Sequence, residues 1–185
     1  MKALKNRKIA VLITVIVAIL ATMFGVGRSL NKLARDVEAT FYSGFTLENG
    51  QPQNGINHHL EILVQSALDC AALLAGNSEL SGEAESLLSA RSGLLDSKSI
   101  SEKYSAYQTL YSMSATLIDK ALLMELSERE KAAVSQFSND FKGTTAAIFS
   151  NQYNIKALNF MDDASIFAHL LRPFVFVTPP ETFDR

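Results

Sequence analysis

Residues 9–26 read IAVLITVIVAILATMFGV, eighteen positions without a charge, in which only Thr14 and Thr22 carry a polar side chain. As a helix rising about 1.5 Å per residue this run covers about 27 Å, close to the roughly 30 Å hydrocarbon core of a bilayer. Lipid offers backbone N–H and C=O groups no partner, so a segment there must be helical to pair them internally. Each threonine can bond back to the carbonyl one turn earlier, and Gly27 and the basic flanks make up the remaining length by snorkelling. A cleaved signal peptide would have an apolar core of about 7–15 residues ending at a small-x-small site. The exit here is Thr22-Met23-Phe24-Gly25-Val26-Gly27, so an uncleaved signal-anchor is favoured. A core helix of a soluble fold is the lesser alternative, because the segment has no polar face.

Charge is divided along the chain. Residues 1–35 hold Lys2, Lys5, Arg7, Lys8, Arg28, Lys32 and Arg35 and no acid; the other 150 positions carry ten bases and nineteen acids, a net −9. An acidic domain of this kind repels phosphate backbones, so nucleic acid is not an expected partner. Four bases precede the apolar run and three follow it within a few turns, a bias that favours a cytoplasmic N-terminus and an extracytoplasmic C-terminal domain. One cysteine, Cys70, excludes a disulfide framework and a cysteine zinc cage.

Beyond the anchor, Leu30, Leu33, Val37 and Phe41 recur at helical spacing. A Gly/Asn/Gln-rich loop follows at 44–55. Ile56, Leu60, Leu63, Val64, Ala67, Cys70, Ala71 and Leu74 predict a helix over 56–75 that stops at Gly76-Asn77. A shorter helix is expected at 82–92. Ser99 with Glu102, and Ser127 with Glu130, have the spacing of capping boxes and open helices over about 100–126 and 128–158, the latter with a weak point at Gly143. Asp162 is a candidate cap for a last helix at 164–171, before Pro173. No long apolar/polar alternation suggests a sheet. The expected fold is all-α: an N-terminal transmembrane helix continuing into an antiparallel three- or four-helix bundle. Its parts are a basic cytoplasmic start (1–8), the signal-anchor (9–27), the bundle (28–172) and an extended tail (173–185).

Chemistry-bearing residues are sparse. His58 and His59 are adjacent and point about 100° apart on a helix, whereas two ligands for one metal want a spacing of three or four; no third ligand is near. Cys70 sits on an apolar face with no base to activate it. Asp162-Asp163 and Glu79/Glu83/Glu85 lack the spaced oxygens of a calcium loop. No phosphate-cradling glycine loop or nucleophile elbow occurs. Catalytic residues, metal ligands and cofactors are therefore all expected to be none, and the chain is read as not an enzyme. Two features remain as a ligand or partner surface: the stripe Tyr104, Tyr107 and Tyr111 along one helix, and Phe174 and Phe176 in the apolar run Phe174-Val175-Phe176-Val177.

The layout resembles the LemA family of bacterial membrane proteins, which have a basic start, one N-terminal membrane helix and a helical domain continuing from it. The segment LNKLARDVEA (30–39) is similar to the family's stretch after the anchor. NHHLEILVQSALDCAALLA (57–75) falls where the family has its R-R-x-D-L-I-P-N-L-V stretch, here without the basic pair and the proline. Phe137, Phe141 and Tyr153-Asn154 are similar to its C-terminal aromatic and Tyr-Asn repeats. The resemblance implies an envelope protein with an anchored antiparallel bundle and no established catalytic residues. With the residues' own reading it gives a non-catalytic interaction or scaffold module outside the cytoplasm. Its partners would be the lipid bilayer and another membrane or envelope protein, or a second copy through coiled-coil-like seams. A sensor-like bundle that binds a ligand at the tyrosines and signals through a partner is the alternative.

Overall fold

A computed structural model describes residues 7–171 and 177–184. Among the described residues the fold is all-α apart from one hairpin of two-residue strands: six helices, α1 (Arg7–Ser43), α2 (Ile56–Leu74), α3 (Ser81–Asp96), α4 (Ile100–Leu122), α5 (Glu128–Phe149) and α6 (Tyr153–Leu171), with β1 (Phe45–Thr46) and β2 (Pro52–Gln53) between α1 and α2.

α1 is 37 residues long, and it takes in the whole apolar run. Thr14 and Thr22 donate to the carbonyls of Ala10 and Ala18, both at 2.9 Å, so neither hydroxyl is left for lipid to desolvate. Only 6 % of the most apolar window is buried within the protein. A soluble core helix would bury most of that surface. Here it stays exposed among the described residues, and the helix is long and apolar enough to cross a membrane.

Ala39–Ile155 and Glu181–Arg185 form one compact unit; Met1–Glu38 and Lys156–Pro180 form another. In the larger unit α2 to α5 make a four-helix bundle with up-down-up-down connections. α2 lies between α3 and α5, α3 also pairs with α4, and α4 and α5 share the loosest seam. Polar pairs reveal the antiparallel register. Between α2 and α5, Asn77 Nδ2 donates to Glu130 Oε1 (2.8 Å), Ser66 Oγ to Asp140 Oδ2 (2.7 Å) and Asn151 Nδ2 to the Asn54 carbonyl (2.9 Å), so one helix descends as the other climbs. Arg91 Nε reaches the Val64 carbonyl at 3.0 Å across α2 and α3. Lys120 Nζ meets Glu83 at 2.7 Å across α3 and α4. The core holds Leu63, Leu74, Leu87, Leu94, Leu110 and Leu117, all essentially inaccessible.

Both capping boxes form as the sequence indicates: the Ser99 and Ser127 side chains accept from the backbone N–H of Glu102 and Glu130, and the glutamates reach back to the cap N–H. Four boundaries depart from expectation. α3 begins at Ser81, as expected, but runs past 92 to Asp96 with the exposed Gly93 carried within the helix. α4 ends at Leu122 rather than near 126. The helix expected over 128–158 runs through Gly143 but does not reach 158. It ends at Phe149, where Asn151 turns inward to Asn54 and accepts from the N–H of Tyr153, starting α6. α6 then runs through Asp162, which is an exposed interior residue and not a cap.

The expected loop at 44–55 contains the β1–β2 hairpin, antiparallel with Phe45 opposite Gln53 and Thr46 opposite Pro52. Gly44 closes α1 in the left-handed region at φ 72°. A Cβ on it would lie 2.2 Å from the Gln53 carbonyl oxygen, and one on Gly55 would lie 2.4 Å from that of Phe41. Two backbones thus cross here at a distance only glycine permits.

In the smaller unit, Met23, Gly27 and Ala34 form a buried stripe on α1, and Ala157 and Phe160 are buried on α6. Thr178 N–H donates to Asn31 Oδ1 at 3.0 Å. Residues 177–180 group with the smaller unit, and 181–184 with the bundle.

Candidate functional site

The tyrosine stripe is where the bundle receives the end of the chain. Tyr107 is 1 % exposed, Tyr104 is half-buried and Tyr111 keeps 37 % of its surface. The i, i+3, i+7 spacing places all three rings on one side of α4. The space beside them is filled by Phe183, 3 % exposed. Its ring centroid lies 5.3 Å from Tyr104, 5.6 Å from Tyr107 and 5.5 Å from Phe41. Phe41 extends the cluster to Tyr153 at 5.4 Å, edge to face, and Tyr111 carries it to Phe141 at 5.0 Å. Edge-on and tilted pairs at such separations are the favoured aromatic geometry.

Polar contacts hold the backbone around Phe183. Its N–H donates to Asn154 Oδ1 at 2.8 Å, and Asn154 Nδ2 returns a longer bond to the Phe183 carbonyl at 3.3 Å. One side-chain amide thus pairs with both main-chain groups of a residue, as a neighbouring strand would. The Tyr153 hydroxyl donates to the Glu181 carbonyl. Glu181 Oε2 accepts from the N–H of Ser101 at 2.9 Å, in the first turn of α4, where unpaired N–H groups and the helix dipole favour an anion. Pro180 is buried just before; two consecutive prolines hold the approach extended.

The Tyr107 hydroxyl is buried without a hydrogen-bond partner among the described residues, as is that of Thr145. Burial pushes the phenol's pKa up. Thr145 opposes the shift from nearby, short of good hydrogen-bond geometry, and Tyr111 and Tyr104 add to it. Tyr107 therefore stays neutral as a packing group.

The other candidates are dispersed. Phe174 and Phe176 lie outside the described residues. His58 and His59 stack edge to face at 5.7 Å. Burial, then the neighbouring His58, lowers the pKa of His59. Glu61, the only acid at helical spacing from His58, accepts from Asn57 Nδ2 at 2.7 Å. The Cys70 thiol is buried and pushed up to about 12 by desolvation. Among the described residues no group of three His, Cys, Asp or Glu could hold a metal. Lys120 holds the Glu83 carboxyl below its ordinary range, through its hydrogen bond first.

Two concavities lie on the bundle. A cleft of about 550 Å³ at the end formed by the α2–α3 and α4–α5 turns is lined by Asn77, Glu79, Leu123, Met124, Glu125 and Glu130. A groove of about 320 Å³ follows the loose α4–α5 seam, with Ile118, Ala121, Leu126 and Val134 on its floor and Lys131 and Lys142 at its rim.

Periodicity had identified Tyr104, Tyr107, Phe41 and Phe141 but not what meets them. Phe183 and Asn154 act through contacts across 29 residues of sequence, which no local pattern encodes. The one sequence signal for Phe183 is Pro179-Pro180, a stiff lead into a lone aromatic. No protein-family model, no curated protein and no solved structure matches the chain.

Proposed function

We propose that this chain is a single-pass, membrane-anchored helical bundle of LemA-like layout that acts as a non-catalytic interaction or scaffold module, with its N-terminus in the cytoplasm and its bundle outside. The observation that carries the reading is α1: its apolar run is left almost wholly unburied while the same helix continues to Ser43, within the unit that holds the bundle. The bundle's chemistry supports a binding role. Its reactive side chains serve structure: Cys70 is protonated and buried, Glu102 and Glu130 cap helices, and Glu83 is tied to Lys120. Its surface offers an acidic end cleft and an open seam. The partner is another envelope protein or a second copy, and the −9 charge beyond residue 35 disfavours nucleic acid.

The experiment is crosslinking in intact membranes, paired with protease digestion from the outside. A crosslinked species containing the chain, and digestion of the bundle in unbroken cells, support the reading. A strictly monomeric chain protected from external protease overturns it.

A further inference from the structure

The contacts around Phe183 have the anatomy of a peptide complex. The site reads two side chains of the docked segment and little else. Phe183 is enclosed by Phe41, Tyr104 and Tyr107, and the Glu181 carboxylate meets the α4 N-terminus at Ser101. Between them Thr182 is half-buried and no hydrogen bond of its side chain is among the contacts that seat the segment. The main chain is held by Asn154, through both polar groups of Phe183, and by the Tyr153 hydroxyl on the Glu181 carbonyl. Main-chain bonds supply affinity and the side-chain seats supply specificity, the division of labour found where extended peptides are recognised.

We propose that this seat is a peptide-binding site for extended segments carrying a carboxylate two residues before an aromatic ring, and that Glu181-Thr182-Phe183 occupies it in cis. The inference rests on reading the bundle as an interaction module and names the chemistry of a partner. The tethered segment acts as a competitor at an effective concentration in the roughly millimolar range expected of a short connection. A partner presenting the same acid-x-aromatic pattern engages by displacing it, and the bundle then exposes Phe183 in exchange.

The test uses the full-length chain in detergent micelles with Phe183→Ala, which vacates the aromatic seat without shortening the chain. The probe is a fluorescein-labelled peptide with the sequence of residues 178–184, TPPETFD. Fluorescence anisotropy should show saturable binding to F183A and, against the intact cis segment, binding at least about tenfold weaker to the unaltered chain. A peptide with alanine in place of the phenylalanine should bind F183A about thirtyfold more weakly, as for a buried aromatic anchor. Glutamine in place of the glutamate should cost about two- to fivefold, the range of a charge at a helix N-terminus. If F183A loses helicity by circular dichroism, F183L, which weakens the cis contact while keeping part of its fill, is compared with the unaltered chain and should bind the peptide more tightly than it; equal binding overturns the proposal. A helical variant that does not bind the peptide at millimolar concentration, or binds the alanine peptide equally well, overturns the proposal. Binding is measured on the purified chain, so its failure leaves a crosslinked partner in membranes untouched, and loss of the crosslink leaves peptide binding untouched.

Discussion

Four glycines give a graded test of the crossing that joins the end of α1 to the start of α2. Gly143 lies inside α5 with open space where a Cβ would stand. Gly143→Ala should stabilise the bundle by about 0.5–1 kcal/mol, the helix preference of alanine over glycine. Gly50 has equally open surroundings but φ of 80°, so Gly50→Ala meets only the left-handed penalty of about 1–2 kcal/mol. Gly55 has an ordinary φ, yet a Cβ there would stand 2.4 Å from the Phe41 carbonyl oxygen, where ordinary contact begins at 3.4 Å. One backbone must move by about 1 Å, and overpacking of that kind costs about 1–3 kcal/mol or more. Gly44 combines both faults, with φ 72° and a contact of 2.2 Å to Gln53, so Gly44→Ala should exceed either alone. Urea unfolding of the four variants in one detergent, followed by far-ultraviolet circular dichroism, should rank them Gly143, Gly50, Gly55, Gly44 from most to least stable. A Gly55→Ala chain as stable as Gly143→Ala would refute the close crossing of the Phe41 carbonyl and the α2 start.

Other perturbations have defined signs. The depressed pKa of His59 means that the unfolded chain binds its proton first. Its contribution is therefore complete above the ordinary value of 6.5 and is lost as pH falls through that value; His59→Gln should flatten this part of the stability profile. Ser99→Ala and Ser127→Ala should each cost about 1 kcal/mol, the worth of an N-cap side chain. Glu102 and Glu130 are held below their ordinary value of 4.5, through the Lys98 N–H first and the Ser127 side chain first respectively, so the stability they supply is present above that value and lost on further acidification. Cys70 should resist a thiol reagent in the folded chain at pH 8 and react once denaturant exposes it; rapid native labelling would contradict its burial.

The parts legible in the sequence are those with a local cause. The span of α1 follows from an unbroken apolar run, the starts of α4 and α5 from Ser99/Glu102 and Ser127/Glu130, and the face of α2 from eight apolar residues at helical spacing. The α5–α6 break was not legible, because Asn151 ends a helix by bonding Asn54, 97 positions earlier. The tyrosines were visible as a stripe, but a stripe does not reveal its neighbour, and Phe183 arrives from the far end of the chain. The same holds for Ser66 and Asp140, a buried-edge pair 74 positions apart.

The account depends first on the fate of the surface between Ile9 and Val26, left uncovered by the rest of the chain. Alkaline carbonate extraction of membranes from cells making the full-length chain measures this directly. The chain should remain entirely in the membrane pellet and be released only by detergent; its appearance in the carbonate supernatant would contradict the anchor and with it the functional reading.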